Sequence, residues 1–239
     1  MSDYYKKIKT VKVQIEKYLK EIFKVYGNEL RLRMEEYNLL TNPNNCIETS
    51  TATGFVMEEF VVAKLETYTR EHDGHDEVKI QRIDGSSTAN SSYDCYAVYK
   101  GIYIMINIKI QKEGAANNAV AAINILHNDY VCENTAREKA YLVLKVRYNF
   151  GLSHDGMQRK IKIMGVESYF LEELDFSKGH KQDYRNWSED FNANSGRLQV
   201  SKSWKKMHLL DEADISHNRT KQFIEDIFNQ KGNKEDKNA

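Results

Sequence analysis

The stretch that decides the fold is Asp94–Lys109, with the sequence DCYAVYKGIYIMINIK. Two runs of apolar and aromatic residues, CYAVY and IYIMI, lie on either side of a central Lys-Gly pair, which predicts two β-strands joined by a tight turn. Asn107 and Lys109 lie two positions apart and share one face of the second strand, whereas Ile106 and Ile108 point to the opposite face. The stretch therefore predicts a hairpin with an apolar face against the core and polar groups at its open end.

The open end of this hairpin collects three side chains that carry chemistry. Asp94 stands at the start of the first strand, and Asn107 and Lys109 stand at the end of the second. A carboxylate, a second oxygen ligand and a lysine in one place are typical of a divalent-metal site for phosphodiester hydrolysis. In such a site the lysine stabilises the charge that develops on the phosphate. A cross-strand ion pair between Asp94 and Lys109 would explain the same pattern without catalysis.

Length and composition bound the class of protein. The chain has 239 residues, which fits one large domain or one domain with appendages. Its 35 basic and 35 acidic side chains cancel, so any surface that binds nucleic acid must be local. Its three cysteines lack metal-type spacing and indicate a reducing compartment. The start of the chain is not a signal peptide, and no apolar run is long enough to cross a membrane, so we expect a cytoplasmic protein without a membrane partner.

Hydrophobic periodicity predicts a mixed α/β protein with a mixed central β-sheet flanked by helices. The clearest helix covers residues 4–24, where apolar residues recur every three or four positions, and the clearest strand after the hairpin covers 141–148. The other predicted helices cover 55–69, 119–126, 167–174 and 218–229, and the other predicted strands cover 78–83, 160–166 and 197–200.

Three further segments, taken in order along the chain, resemble parts of one enzyme family. Gly54–Leu65, GFVMEEFVVAKL, resembles a helix that precedes a catalytic hairpin, and Gly196–Val200, GRLQV, resembles a late β-strand of the same enzymes. The Asn-Arg-Thr sequence at 218–220 resembles the start of their C-terminal helix. Together with the hairpin, the chain from about residue 50 onward is similar to type II restriction endonucleases of the PD-(D/E)xK superfamily, in the branch that contains HincII, HpaI, SwaI and EcoRV.

The resemblance implies a restriction-endonuclease-like fold and a sequence-specific double-stranded DNA endonuclease of the prokaryotic cytoplasm. Its Mg²⁺-dependent attack of water on DNA would leave 5′-phosphate ends, with blunt cutting as one outcome. It implies that Asp94 and Asn107 hold the Mg²⁺ ion, that Lys109 assists the attacking water, and that Glu58 supports the site. A homodimer would bind a short palindromic site, because a two-fold DNA site matches a two-fold protein.

This interpretation divides the chain into three parts. Residues 1–50 form an N-terminal helical region that is a candidate dimerisation element, and residues 51–230 form the nuclease core with its DNA-recognition segments. Residues 231–239 are predicted to be a disordered tail.

DNA-recognition residues are expected in the later half of the chain, since amide and basic side chains read base edges and contact phosphates. Gln199 is the first choice for a base or groove contact, and Asn117 and Asn118 are the second. The N-terminus of the last helix suits a backbone phosphate. An N-cap role for Asn218 and a solvated loop around Lys202 are the non-functional alternatives. The further candidate DNA-binding residues are Asn218, Arg219, Thr220 and Lys202.

The main departure from the family pattern is Asn107, which stands where the family has an acidic residue. Its amide oxygen can still coordinate Mg²⁺, but it carries no charge. Asn107 is then a native residue compensated by another ligand, an engineered replacement of aspartate, or the mark of a catalytically weak relative. A competing Glu-Val-Lys motif at 77–79 lacks an acidic strand at hairpin distance upstream.

Two other functions stay open on the sequence alone. A structure-specific DNA repair or recombination nuclease would cut without regard to sequence. A non-catalytic DNA-binding protein would bind DNA without hydrolysing it in Mg²⁺ or Mn²⁺.

Overall fold

The computed structural model describes residues 2–31, 50–72, 78–83, 91–115, 119–132, 137–152, 159–178, 197–200, 205–206 and 208–235. The described strands are β1 (Glu29–Arg31), β2 (Ile80–Arg82), β3 (Cys95–Tyr99), β4 (Ile102–Lys112), β5 (Ala119–Ala122), β6 (Lys139–Leu152), β7 (Arg159–Phe170) and β8 (Arg197–Gln199). The described α-helices are α1 (Asp3–Val25), α2 (Ser50–Glu71), α3 (Ile123–His127) and α4 (His217–Glu235).

Six strands form one mixed sheet in the order β1-β7-β6-β4-β3-β2, and β5 pairs with β8 in a separate two-stranded sheet. β4 and β6 run parallel, whereas the other neighbouring strands of the large sheet are antiparallel. The side chains at 104–108 of β4 and 139–146 of β6 are all buried, because helices and turns cover both faces of these central strands. The predicted mixed α/β fold with a central sheet flanked by helices is therefore confirmed.

The predicted hairpin is formed by β3 and β4. Its turn residues Lys100 and Gly101 both have positive φ, 46° and 87°, as a two-residue turn that matches the twist of the strands requires. The pairing of β3 with β4 ends where Cys95 lies opposite Ile106. β4 continues to Lys112, and beyond Ile106 its neighbour among the described strands is β6. The second half of β4 therefore leaves room beside it at the point where β3 begins.

Helices α1 and α2 cover one face of the sheet. α1 begins after Ser2, whose Oγ accepts a hydrogen bond from the Tyr5 N–H (3.1 Å) and caps the first turn. The helix predicted at 4–24 is confirmed, and its apolar stripe is buried within its own chain, while its role in a dimer stays a prediction. The apolar side chains that pack on this face include Ile8, Ile15 and Leu19 of α1, Met57, Val61 and Leu65 of α2, and Ile104, Ile106 and Ile108 of β4.

The opposite face is covered by smaller elements. These are α3, a π-helical turn at Asn128–Cys132, the β5–β8 ribbon and α4. Alternation along β4 directs Met105, Asn107 and Lys109 to this side, away from the buried isoleucines of the same strand. The apolar side chains that pack here include Met105, Leu126, Tyr130, Tyr141, Leu198 and Ile224.

Two helices predicted from the sequence are wrong over part of their length. The first half of the helix predicted at 119–126 is the strand Ala119–Ala122, which pairs with β8. The helix predicted at 167–174 is replaced by the end of β7, which pairs with β6 as far as Phe170, followed by a 3₁₀ turn at Leu171–Glu173. In both cases pairing with a strand distant in sequence overrides the local helical preference.

The last helix is longer than the sequence predicts. α4 runs from His217 to Glu235, whereas the prediction is a helix over 218–229 and a disordered tail from residue 231. Residues 236–239 of that tail lie outside the described residues. Within the described part of the chain, no helix combines the length and the apolar character needed to cross a bilayer.

Candidate active site

Asp94 lies where the first strand of the hairpin begins. Its backbone N–H donates to the Ile106 carbonyl (2.9 Å), and its carboxylate oxygen Oδ2 accepts the Ile108 N–H (2.5 Å). The Ile108 N–H is available because the β3–β4 pairing ends at Ile106 while β4 continues. The carboxylate therefore takes the place of a missing strand as the hydrogen-bond partner of β4, and this contact fixes its position.

Glu58 reaches the Asp94 carboxylate from α2. Met57, on the same helical turn, is buried against the sheet, and Glu58 lies half-buried at the rim of that face. The carboxyl groups of Glu58 and Asp94 are near enough to each other that each affects the ionisation of the other. The adjacent Glu59 is exposed and forms an ion pair with Arg82 (3.4 Å). The helical turn thus directs Glu58 to the hairpin and Glu59 to a surface ion pair.

The two carboxyl groups alter each other's ionisation. Burial, the charge of Asp94 and the hydrogen bond between the two groups raise the pKa of Glu58 to about 8. Burial also raises the pKa of Asp94, although the Ile108 N–H, the Glu58 hydrogen bond and the Lys109 charge oppose that rise. Lys109 is half-buried, and its positive charge acts on both groups. Near neutral pH Glu58 therefore keeps its proton beside Asp94 and Lys109.

Asn107 has a different set of contacts. It is 2% exposed, and its Nδ2 lies 2.8 Å from the Ser92 carbonyl oxygen, 2.8 Å from the Val120 carbonyl oxygen and 2.7 Å from the Tyr141 hydroxyl. Its Oδ1 is also buried and has no hydrogen-bond partner among the described protein atoms. The amide nitrogen of Asn107 is therefore hydrogen-bonded within the protein, whereas its buried oxygen has no hydrogen-bond partner among the described protein atoms.

The two neighbouring carboxyl groups are donors of the kind that a divalent cation binds. Glu58 and Asp94 present two carboxyl groups to each other, and the Asn107 oxygen is a neutral acceptor on the same strand as Lys109. Mg²⁺ prefers carboxylate and carbonyl oxygens, and a cation here would offset the burial that raises both carboxyl pKa values. Among the described residues there is no cluster of three or more His, Cys, Asp or Glu side chains suited to a metal ion.

Gln199, the residue predicted first for a base or groove contact, lies in the β5–β8 ribbon. Gln199 is half-buried in β8, opposite the first residue of β5. The other predicted base-reading residues, Asn117 and Asn118, and the predicted phosphate contact Lys202 lie outside the described residues. Glu77 of the competing motif also lies outside them.

The remaining predicted DNA-binding residues lie at the N-terminal end of α4. Ser216 caps this helix, since its Oγ accepts the Arg219 N–H (3.4 Å). Asn218 is exposed, and the Arg219 guanidinium pairs with Asp175 (2.9 Å). Thr220 is only 3% exposed, so most of its surface contacts protein. Asn218 and Arg219 are thus the surface residues of this helix end.

A cavity of about 340 Å³ opens beside the same helix end. Its lining includes Arg219 and Thr220, together with Phe176 and Phe223, whose stacked rings lie 3.7 Å apart. None of its lining residues belongs to the group formed by Glu58, Asp94 and Lys109, so the cavity is a separate feature.

Sequence reasoning misses the residues that hold this region in place. Ser92, Val120 and Tyr141 come from a loop and two strands, and all three contact the Asn107 amide nitrogen. Asp129 of the π-helical turn accepts the Ser92 N–H (2.6 Å). No spacing along the chain marks these residues, because their contacts join elements that are distant in sequence. The only local signal is Tyr141, a hydroxyl-bearing residue at the start of an apolar strand.

Comparison with known proteins gives no assignment for this chain. No protein-family model matches it, and no curated protein matches it. The geometry of Glu58, Asp94 and Lys109 therefore carries the functional proposal.

Proposed function

We propose that this protein is a Mg²⁺-dependent, sequence-specific DNA endonuclease of the type II restriction class. The observation that supports the proposal is the grouping of the partly buried Glu58 and Asp94 carboxyl groups beside Lys109. An ion pair that served only the fold would need one carboxylate opposite Lys109. A second carboxylate, partly buried against the first, costs stability through desolvation and like charge, and such cost is typical of functional sites.

Each side chain of the site has a separate task in this proposal. When bound, a divalent cation supplies a Lewis acid for the phosphate and a water of lowered pKa. Asp94 would hold the cation with a carboxylate whose direction is fixed by the Ile108 N–H. Glu58 would support it directly or through a water. Lys109 would assist the attacking water and stabilise the negative charge that grows on the phosphate.

The proposal extends to the form in which DNA is bound. A short palindromic duplex would be bound by a homodimer, with one subunit cutting each strand. Arg219, at the exposed end of α4, would contact a backbone phosphate, and Gln199 in the β5–β8 ribbon is a candidate for the groove. Because phosphate contacts release counterions, binding should weaken steeply as the salt concentration rises.

A non-catalytic DNA-binding protein is the second candidate. It is favoured by Asn107, which places a neutral amide at the position where an acidic ligand is expected and commits its nitrogen to the Ser92 and Val120 carbonyls. Such a protein would bind duplex DNA and leave it intact in any divalent metal.

Digestion of long phage DNA tests these proposals together. The full-length protein is incubated with unmethylated DNA in Mg²⁺, in Mn²⁺ and in EDTA, and the products are separated by size and analysed for 5′-phosphate ends. Discrete fragments in Mg²⁺ that disappear in EDTA are the expected result. A smear would favour a nuclease that ignores sequence. Intact DNA that is nevertheless retarded in a gel would support the second candidate.

A further inference from the structure

The side-chain amide of Asn107 is held by three acceptors from three different elements. The Ser92 carbonyl and the Val120 carbonyl each lie 2.8 Å from Nδ2, and the Tyr141 hydroxyl lies 2.7 Å from it. Backbone carbonyl oxygens accept hydrogen bonds and cannot donate them, so these two neighbours fix which end of the amide is the nitrogen. The two N–H groups of Asn107 are therefore both used by buried protein acceptors.

An aspartate could not make these contacts. It has nearly the same shape as asparagine but carries two oxygens, so one of them would face the Ser92 and Val120 carbonyls without a donor between them. Both carbonyls would also lose a hydrogen bond in a region closed to water, where an unpaired polar group is costly. The environment of Asn107 thus selects an amide, and this favours Asn107 as the native residue over a replacement of aspartate.

The Ser92 carbonyl connects Asn107 to the carboxylate of the site. Ser92 lies two residues before Asp94, and its carbonyl also accepts the Tyr141 hydroxyl. Its N–H donates to Asp129 Oδ2 (2.6 Å). The short segment that leads into Asp94 is therefore held at both its N–H and its carbonyl, and Asn107 supplies one of the contacts that hold it.

The Val120 carbonyl connects Asn107 to the β5–β8 ribbon. Val120 is buried in β5, whose first residue, Ala119, pairs with Gln199. One amide group therefore joins the catalytic strand β4 both to the segment before Asp94 and to the ribbon that carries the first-choice DNA-reading residue.

We propose that Asn107 is a positioning residue whose amide N–H groups fix Asp94 through the Ser92 backbone and tie β4 to the β5–β8 ribbon. This inference rests on the proposed function, since it assigns Asn107 a different task in the same site. The resemblance to PD-(D/E)xK enzymes assigns Asn107 to the metal as a ligand. The positioning role depends on its nitrogen, whereas the ligand role depends on its oxygen, and the substitution Asn107→Asp separates the two.

The first experiment measures hydrogen exchange of side-chain amides by NMR in the full-length wild-type protein. Asn149 provides the internal reference because its side chain is exposed. Its hydrogen bond in the structure is made by the oxygen, since Oδ1 accepts the Phe150 N–H (2.9 Å). The positioning role predicts that the Asn107 amide protons exchange about 100-fold or more slowly than those of Asn149, because exchange requires local opening. Equal exchange rates would overturn the role without any measurement of activity.

The second experiment measures Mn²⁺ affinity by electron paramagnetic resonance in wild type, Asn107→Asp and the matched control Asn149→Asp, each checked for folding by circular dichroism. If loss of the Asn107 contacts displaces the metal ligand Asp94, the Mn²⁺ affinity should be about 10- to 100-fold weaker in Asn107→Asp and unchanged in the control. Affinity that is unchanged or tighter in folded Asn107→Asp overturns the positioning role, and tighter binding supports the ligand role.

Tyr141→Phe provides a second variant if Asn107→Asp does not fold. It removes one hydrogen bond to the Ser92 carbonyl and keeps both backbone acceptors of Asn107. The positioning role predicts that Mn²⁺ binding weakens about threefold, the equivalent of one modest hydrogen bond. Unchanged affinity in Tyr141→Phe would contradict it. A wild-type protein that binds no Mn²⁺ would instead overturn the proposed metal-dependent function, and the positioning role with it.

Discussion

Two pairs of acidic residues in this molecule are held in different ways. Glu172 and Glu173 lie in the 3₁₀ turn after β7, and both are buried. Glu172 accepts hydrogen bonds from the Tyr130 hydroxyl (2.6 Å) and from the Tyr141 N–H (3.2 Å). Each carboxylate of this pair therefore has donors from the surrounding protein. The donors to Glu173 are the Tyr5 hydroxyl (3.2 Å), the Phe170 N–H (2.9 Å) and the Lys12 ammonium.

Glu58 and Asp94 form the other pair, and here the two carboxyl groups are each other's neighbours. Asp94 also accepts the Ile108 N–H, and the Lys109 charge lies close to both groups. The pair is at the rim of α2 and is half-buried, so it can meet a ligand from outside.

The comparison separates acidic residues that build the fold from acidic residues that are available for chemistry. Where the protein supplies donors from its own backbone, hydroxyls and lysines, removing the carboxylate leaves those donors unpaired and should cost stability. Where two carboxyl groups share a proton, removing one should relieve repulsion and cost function instead. Removal of a carboxyl side chain should therefore affect mainly stability in the first pair and mainly function in the second.

The largest expected effect is the loss of cleavage in Asp94→Asn. If Asp94 holds the cation, its loss should slow DNA cleavage about 1000-fold or more, the equivalent of several kcal/mol of transition-state stabilisation. Thermal unfolding should remain close to wild type, because an amide can still accept the Ile108 N–H. The matched control is Asp211→Asn, at an exposed position, which should cut DNA at the wild-type rate. If Asp94→Asn cut DNA as fast as wild type, Glu58 and Asp94 would not be the residues that hold the cation for cleavage.

The next effect is a pH dependence of stability that originates at Glu172. Burial raises its pKa from 4.5 to about 7 despite its hydrogen bonds, so the folded state favours the protonated form. Its contribution to stability is complete below pH 4.5 and is lost as the pH rises through about 7. Urea unfolding at pH 5 and pH 8 should show that wild type loses up to about 3 kcal/mol relative to Glu172→Gln. Parallel pH profiles of the two proteins would contradict this account.

Glu173→Ala should destabilise the protein by about 2 kcal/mol, because it leaves the Lys12 ammonium and two other donors without their partner. The side chains of Lys12 and Glu173 are 20% and 10% exposed. A matched ion pair joins Lys9 of the same helix to Glu212, and its side chains are 43% and 45% exposed, so Glu212→Ala should cost clearly less stability than Glu173→Ala. Urea unfolding of both variants measures the difference, and equal losses would show that burial does not distinguish the two ion pairs.

The smallest expected effect is a gain of stability in Glu58→Gln. The pKa of Glu58 is about 8, so its contribution to the stability of the folded state falls as the pH rises through that value. Above it, the negative charge of Glu58 is repelled by the Asp94 carboxylate. Glutamine can donate an N–H to Asp94 at any pH, so Glu58→Gln should be about 1 kcal/mol more stable than wild type at pH 9 and nearly equal to it at pH 6. Glu59→Gln, at the exposed neighbour, should show no such pH-dependent gain. A loss of stability at pH 9 would place Glu58 with the structural acids.

The parts of the fold that were predictable from the sequence depend on local patterns. The apolar runs of β3 and β4, the Lys100-Gly101 turn and the apolar stripe of α1 are each encoded by one short segment of the sequence. The strand Ala119–Ala122 was not predictable, because its alanines favour a helix and only β8, distant in sequence, makes it a strand. The end of β7, at residues 167–170, was predicted to be helical for the same reason, since its strand partner β6 is distant in sequence.

The candidate site also has a part that the sequence predicts and a part that only the fold determines. The spacing within the hairpin predicts a group that contains Asp94, Asn107 and Lys109, and the resemblance to the family's helix adds Glu58. Nothing in the spacing predicts that the nitrogen of Asn107 is used by the Ser92 and Val120 carbonyls, because these acceptors are backbone atoms and their residue types carry no signal. Sequence patterns identify the side chains with reactive groups, whereas the contacts that orient them depend on the whole fold.

The measurement that tests the central claim most directly is the rate of DNA cleavage by Lys109→Met under enzyme excess in Mg²⁺, compared with wild type and with Lys162→Met, a substitution at an exposed residue of β7. If Lys109 acts on the reacting phosphate beside Glu58 and Asp94, its loss should slow cleavage about 100-fold or more while duplex binding in Ca²⁺ is kept. Lys162→Met should cut at the wild-type rate. Cleavage by Lys109→Met as fast as wild type would contradict the account and place the chemistry elsewhere in the molecule.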